Sequence, residues 1–174
     1  MPDLERQIIA ALDDVRLRRS AESDLDAVLA ADHAPAHAQF IMPWERARHR
    51  ATFSDGDLLH AVVETVAGGQ PVGFVLLAGL ENAHRSIEFR RIVISDGGKG
   101  YGRRALRMVK RLAFEEFAAH RLWLDVFERN LRAIHLYASE GFIIDGRLRE
   151  CYRREDGRFY SLLVMSLLRQ EYLA

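Results

Sequence analysis

Apolar positions along the chain change their period several times, and each change marks an element. Residues 4–12 predict a short leading helix, and Val15-Arg16-Leu17-Arg18 then alternates as a first strand. Ser20 or Ser23 would cap the next helix, in which Leu25, Val28, Leu29 and His33 share one face. A helical or irregular stretch runs on through His37, Phe40, Trp44 and Arg48. Residues 58–66 and 71–80 read as two apolar strands joined by Ala67-Gly68-Gly69-Gln70, a hairpin by its turn chemistry, and residues 85–94 as a third strand. Past a glycine-rich turn, Ala105, Leu106, Val109, Leu112, Ala113 and Phe117 form one helical face, with Arg103, Arg107, Lys110 and Arg111 largely outside it. A strand at 122–127, a helix bounded by Asn130 and Gly141, and a final hairpin complete a mixed α/β order. With no linker and no repeat, residues 1–174 are expected to form a single domain.

The glycine turn carries the most chemistry. In Ile94-Ser95-Asp96-Gly97-Gly98-Lys99-Gly100-Tyr101-Gly102-Arg103-Arg104, four glycines fall within six residues between a strand and a helix. Such a turn lets the backbone approach a ligand closely, aims several N–H groups at one place and adds the partial positive charge of a helix start. It is a cradle for an anion such as a pyrophosphate. Spacing excludes two common cradles. A Walker loop needs glycine where Val93 stands and Ser or Thr where Gly100 stands, and a dinucleotide fingerprint from Gly98 needs Gly or Ala where Arg103 stands.

What remains resembles the acetyl-CoA-binding motif of the GNAT superfamily of N-acetyltransferases, whose pattern is Gln or Arg, two residues, Gly, one residue, then Gly or Ala. Gly97 occupies the first position, so a side-chain contact made there in the family is missing, while the main-chain contacts of Gly98, Lys99, Gly100, Tyr101 and Gly102 are retained. A second stretch strengthens the resemblance. Leu122-Trp123-Leu124-Asp125-Val126-Phe127, then Asn130, His135-Leu136-Tyr137 and Glu140-Gly141-Phe142, is similar to the family's next strand and helix. The wording is closest to the branch holding the spermidine and spermine acetyltransferases and the enzymes that acetylate ribosomal-protein N-termini.

The resemblance implies a mostly antiparallel central sheet flanked by helices, with two central strands splayed to admit pantetheine. Main-chain groups of Ile92 and Ile94, with Val93 between them, would bond the pantetheine amides and polarise the thioester carbonyl. Residues 97–102 would hold the pyrophosphate, Arg103 or Arg104 would meet a phosphate, and Asn130 would reach the pantetheine arm besides capping its helix. Tyr137 matches the family's proton donor to the departing thiolate, a task suited to a phenol protonated at neutral pH. Glu88 corresponds to a carboxylate used as base; its alternative is an ion pair with Arg90. The implied reaction moves an acetyl group from acetyl-CoA to a small-molecule amine or a peptide N-terminus. The alternatives are a non-catalytic acetyl-CoA sensor of the same fold and a nucleotide-binding protein misread through its turn. Phe40, Met42, Trp44 and Tyr160 are candidates for the acceptor groove, and Glu45, Asp55 and Asp57 for its carboxylates.

Composition narrows the partners. Twenty-five basic and 25 acidic residues cancel, and no basic stripe interleaves with aromatics, so nucleic acid is not expected. No apolar run is long enough to span a bilayer, the amino terminus lacks a signal pattern, and the lone Cys151 forms no internal disulfide, all consistent with a cytoplasmic protein. No His, Cys and carboxylate spacing of a metal site occurs, so no metal is expected. A homodimer is expected from the resembling branch.

Overall fold

The computed structural model describes residues 6–95 and 97–174. Its first element corrects the expected leading helix. Ile8–Leu12 is a strand, β1, paired antiparallel with β2, Val15–Arg19, while residues 4 and 5 lie outside the described residues. Asp13 takes a left-handed φ of 54°, which closes a two-residue turn. Pairing across that turn then overrides the local helical spacing.

Neither serine caps the next helix. Ser20 bonds instead to the His60 ring, and Asp24 accepts the Ala21 N–H at 2.7 Å in the turn that leads into α1, Leu25–Asp32. A short α2, Arg46–Ala51, comes after an irregular stretch. The strands β3, Leu58–Thr65, β4, Pro71–Ala78, and β5, Ser86–Ile94, form the expected antiparallel run. After them come α3, Tyr101–Arg111; β6, Arg121–Phe127; α4, Leu131–Ser139; β7, Ile143–Arg153; β8, Phe159–Leu168; and a last turn of helix, α5, Arg169–Tyr172.

All eight strands join one sheet in the order β1-β2-β3-β4-β5-β6-β8-β7, antiparallel except at β5–β6. α3 and α4 cover one face over the main core, which includes Leu17, Val75, Leu77, Leu106, Leu124 and Met165. α1 covers part of the other face over a smaller cluster of Val28, Ala31, Val62, Phe74 and Val93.

Two irregularities shape the middle of the sheet. β5 and β6 pair in parallel only from Ser86–Arg121 to Glu88–Trp123; beyond Glu88, β5 has no strand on that side, so the sheet opens into a wedge. In the pairing with β4, Leu77 faces Phe89 and Leu76 faces Arg91, leaving Arg90 as an extra residue, a β-bulge. The bulge reverses the alternation along β5. Phe89 and Ile92 therefore both face the main core, and Arg91 and Val93 face the opposite side.

On that opposite side runs a buried polar chain. Ser20 Oγ lies 2.7 Å from His60 Nδ1, His60 Nε2 3.1 Å from His49 Nδ1, and His49 Nε2 3.3 Å from an Asp32 oxygen. One proton arrangement satisfies every link with both rings neutral. The Asp32 carboxylate accepts from His49 Nε2–H, the free His49 Nδ1 accepts from His60 Nε2–H, and His60 Nδ1 accepts the Ser20 hydroxyl. Burial pushes His60 down to about 3, which keeps its ring neutral. Asp32 also accepts the Trp44 N–H at 2.7 Å and Arg91 Nη1 at 2.5 Å, and Arg91 donates on to the Met42 carbonyl at 2.7 Å. The chain thus fastens the irregular stretch before α2 to β5 just past the bulge.

Candidate active site

Around the wedge, the structure brings together most of the residues singled out above. Ile92 and Ile94 lie on the part of β5 that has lost its β6 neighbour, with side chains packed on the main core and a strand edge beside them; Val93 is buried on the other face. An unpaired strand edge offers main-chain N–H and C=O groups in register to any extended, amide-bearing chain laid beside it.

The glycine turn comes directly after this edge. Gly98 and Gly100 adopt φ of 86° and 78°, the left-handed region that glycine enters without cost, and Gly100 is the residue from which α3 starts. A Cβ on Gly98 would meet nothing within 4 Å, whereas one on Gly100 would lie 3.4 Å from Arg104 Nη1. Gly102 is different. Its φ is helical and an added Cβ would make only ordinary contacts, 3.7 Å from Ile94 and 4.0 Å from Leu136.

Several side chains assigned to the cofactor are engaged elsewhere. Tyr101 is buried in the main core, so only its main chain faces the turn. Arg104 folds back onto the Lys99 carbonyl at 2.8 Å and pairs with Asp14 at 3.0 Å. Arg103 donates to Glu140 at 2.6 Å and to the Ser139 hydroxyl at 2.9 Å. Glu140 is the buried centre of a cluster with Arg103, Arg107 and Lys110. Burial alone would raise its pKa, but the three cations outweigh this and hold it at about 2. The cluster clamps the end of α4 against α3. One guanidinium was missed: Arg132, in the first turn of α4, comes within 3.7 Å of where a Gly97 side chain would begin. It stands where the glycine left the pattern without a side chain.

Asn130 does cap α4, its side chain accepting the Ala133 N–H at 3.2 Å, and Gly141, at φ 96°, closes the helix. Tyr137 is buried on the main-core side of the sheet, tilted against Phe142. It makes no hydrogen bond among the described residues, so its hydroxyl is uncommitted. Burial first, and the charge of Asp125 second, push the phenol well above its usual range, keeping it protonated.

Glu88 lies where β5 and β6 part, and it makes the ion pair weighed against catalysis. One of its oxygens receives Arg90 Nε at 3.0 Å and Nη2 at 2.6 Å. Asp125, two residues beyond the Glu88–Trp123 register pair, was not singled out from the sequence, although a lone carboxylate inside Leu-Trp-Leu-Asp-Val-Phe is a visible signal. Its side chain is exposed, between the buried Leu124 and Val126. Desolvation, with the Glu88 charge next and Arg90 opposing, raises its carboxyl.

A hollow of about 510 Å³ opens between the irregular stretch and the final hairpin, lined by Met42, Tyr160, Arg129, Arg154, Glu155 and Asp156 among others. Met42 and Tyr160 are both in this lining. Phe40 is not in the lining, and Trp44 is buried beneath Arg48 and Arg91. Glu45, Asp55 and Asp57 line neither this hollow nor the larger one, of about 890 Å³, beside Phe127 and Arg147. Asp55 and Asp57 accept main-chain N–H groups in their own loop instead.

A wedge with a free strand edge, a left-handed glycine turn at its end and a buried phenol together form a candidate site for an extended, amide-bearing chain that ends in an anion. The model of the acetyltransferase (GNAT) family matches residues 26–142, and the chain belongs to that family. It is 30% identical over 107 residues to the spermidine N(1)-acetyltransferase of Escherichia coli K12, covering 61% of this chain and 57% of that protein. It is 32% identical over 103 residues to the Vibrio cholerae enzyme of the same name, covering 59% of each. The chain therefore aligns with less than two thirds of the length of these relatives. The solved spermidine N-acetyltransferase of Vibrio cholerae in complex with CoA and spermine superposes with a TM-score of 0.83 at 26% identity, over 92% of this chain and 99% of that one.

Proposed function

We propose that the chain, as a single acyl-CoA N-acyltransferase domain over residues 1–174, moves an acetyl group from acetyl-CoA to a primary amine, with polyamines as the first acceptor class to try. The observation that carries this is the meeting of three features at one wedge: the β5 edge at Ile92–Ile94, the left-handed glycine turn at Gly98 and Gly100, and the uncommitted Tyr137 hydroxyl. In this reading the β5 edge takes the pantetheine amides, and the N–H groups from Gly98 to Gly102 take the pyrophosphate. Arg132 is a better phosphate partner than Arg103 or Arg104, because both of those already have partners within the protein. Acetyl-CoA supplies the activated acetyl group as co-substrate, and no metal is invoked.

The reaction is a direct transfer. A neutral amine attacks the thioester carbonyl, the C–N bond forms, and the C–S bond of the tetrahedral intermediate breaks as Tyr137 protonates the sulfur. A raised phenol pKa suits a donor that must not ionise before its turn. Polyamines rank first because the relatives are named for spermidine. The arginines of the final hairpin and Arg129, which stacks 4.2 Å over Tyr160, would not attract a highly cationic acceptor to that wall. A singly charged amine or a peptide N-terminus therefore belongs in the same test.

A homodimer fits the exposure of Ile143, Ile144 and Leu148 along β7, the sheet's edge strand, and a cytoplasmic setting fits the free Cys151. Incubation with acetyl-CoA and a panel of polyamines, amino acids, aminoglycosides and short peptides, with mass-spectrometric detection of the acetylated amine, tests the function. Acetylation of one class supports it. Binding of acetyl-CoA without acetylation of any class would favour a sensor, and no binding would overturn the reading.

A further inference from the structure

We infer that the amine acceptor carries a carboxylate, held by Arg129 and Arg154, so that amino acids outrank polyamines at this site. The inference rests on the acetyltransferase reading and names the acceptor class which that reading leaves open.

The hollow between the irregular stretch and the final hairpin lies on the sheet face that α1 covers, since Asp32 and His33 at the end of that helix line it. Its wall reaches both of the strands that part at the wedge. On the β5 side, Arg91 donates to Asp32 and to the Met42 carbonyl, and both of those residues line the hollow. On the β6 side, Arg129 comes two residues after the strand ends, and Tyr160 packs edge-on to Phe127, the strand's last residue, at 6.1 Å. A molecule seated in the hollow thus lies beside the gap between the strands.

Two cations converge there on one neutral atom. Arg154 Nη1 donates to the Gln39 carbonyl at 2.6 Å, Arg129 Nη2 donates to the same oxygen at 3.3 Å, and Arg154 also reaches the Ala38 carbonyl. The Arg129 and Arg154 guanidinium carbons lie 4.2 Å and 6.0 Å from the centre of the Tyr160 ring. Like charges gathered at one atom repel, and a main-chain carbonyl accepts their hydrogen bonds without a charge to offset them. Elsewhere the chain answers its arginines with carboxylates, as at Arg91–Asp32, Arg121–Asp145 and Arg147–Glu128. Among the described residues, neither Arg129 nor Arg154 has such a partner.

The carboxylates in the lining do not fill that place. Asp32 is committed to Arg91, His49 and the Trp44 N–H. Asp156 accepts the Arg158 N–H and the Tyr160 hydroxyl within the hairpin turn. Glu155 follows Arg154 in the chain and is exposed, yet among the described residues it pairs with neither arginine. An incoming carboxylate has what the Gln39 carbonyl lacks, two oxygens and a full charge, and its bonds to guanidinium are about twice as strong as those of a neutral acceptor. A polyamine would add further cations to this wall.

The transfer itself is unchanged. The amine forms the C–N bond, the C–S bond breaks, and the carboxylate stays ionised as a handle, so the products are an N-acetyl amino acid and free CoA.

The test measures kcat/KM for leucine, β-alanine and γ-aminobutyrate, each beside its carboxamide, and for spermidine, with calorimetric acetyl-CoA binding and thermal melting alongside. The best acid is expected to exceed its carboxamide by about tenfold or more, and to exceed spermidine. In Arg129→Gln and in Arg154→Gln the ratio of acid to carboxamide should fall by about threefold or more, and in the double variant it should approach unity, with acetyl-CoA affinity retained. Comparing ratios between proteins cancels the differing basicity of the two amines. Arg154→Lys, which keeps the charge and loses the fork, should recover part of the ratio. A merely structural role would lower acid and carboxamide together. A wild-type ratio at or below unity, spermidine as the best acceptor, or a ratio preserved in the double variant would overturn the assignment alone. Should a variant melt early, the wild-type ratios still decide. A wild-type protein that acetylates no amine would overturn the acetyltransferase reading and this inference with it.

Discussion

The two sides of the sheet are built by different means. The proposed cofactor side, from β5 through the glycine turn and α3 to α4, is assembled from neighbours in sequence: a strand edge, left-handed glycines, a helix start and two caps. The proposed acceptor side, where α1 and α2 meet β2, β3 and β5, is assembled from side chains far apart in the chain. Ser20, His60, His49, Asp32 and Arg91 meet over separations of 40, 11, 17 and 59 residues. A backbone-coded half tolerates changes of side chain so long as its glycines keep their conformation. A half held by a buried polar chain tolerates few changes, because each lost partner strands a desolvated group.

The largest expected effect tests that contrast directly. Asp32→Ala leaves Arg91 and His49 buried without their acceptor and should cost about 3–5 kcal/mol in denaturant unfolding. A loss below about 1 kcal/mol would mean that the chain is not what holds the acceptor side.

Acid should act on the same half first. His60 has a folded value of about 3 against an ordinary 6.5, so its contribution is fully present above 6.5 and is lost as pH falls toward 3. Glu140, on the other face, has about 2 against 4.5, so its contribution persists to lower pH and is lost between 4.5 and 2. Stability measured against pH should therefore begin to fall below about 6.5, and His60→Gln should flatten the upper part of that decline while leaving the lower part.

On the cofactor side, Gly100→Val forces a β-branched residue into φ 78° and should weaken acetyl-CoA binding about tenfold, from a backbone cost of roughly 1–2 kcal/mol. Gly102→Ala, in a helical conformation with room for a methyl group, should change binding less than about twofold. Equal losses in a calorimetric titration would contradict the view that only the left-handed glycines are essential. The smallest effect belongs to the cap: Asn130→Ala should cost about 1 kcal/mol of stability.

This division also explains what the sequence reveals. Strand, glycine turn and helix are local, so these elements and the final hairpin are legible in the spacing, and the family resemblance in the motifs they carry. Arg103 and Arg104 look like phosphate ligands from their place in the first turn. Their partners, Glu140 and Asp14, lie 37 and 90 positions away and leave no mark in the pattern. The bulge at Arg90 is equally silent, since Glu-Phe-Arg-Arg-Ile reads as a plain strand until its pairing with β4 shows the extra residue. The leading strand is misread as a helix for a related reason: its partner, β2, and not its own periodicity decides its conformation.

Free-thiol release from acetyl-CoA in the presence of spermidine, measured for wild type and Tyr137→Phe side by side, tests the central claim most directly. The expected result is thiol release that depends on the amine in the wild type, and turnover lower by about 10²-fold in Tyr137→Phe with acetyl-CoA affinity intact. Full turnover in Tyr137→Phe, or no thiol release from the wild type with any amine of the panel, would contradict it.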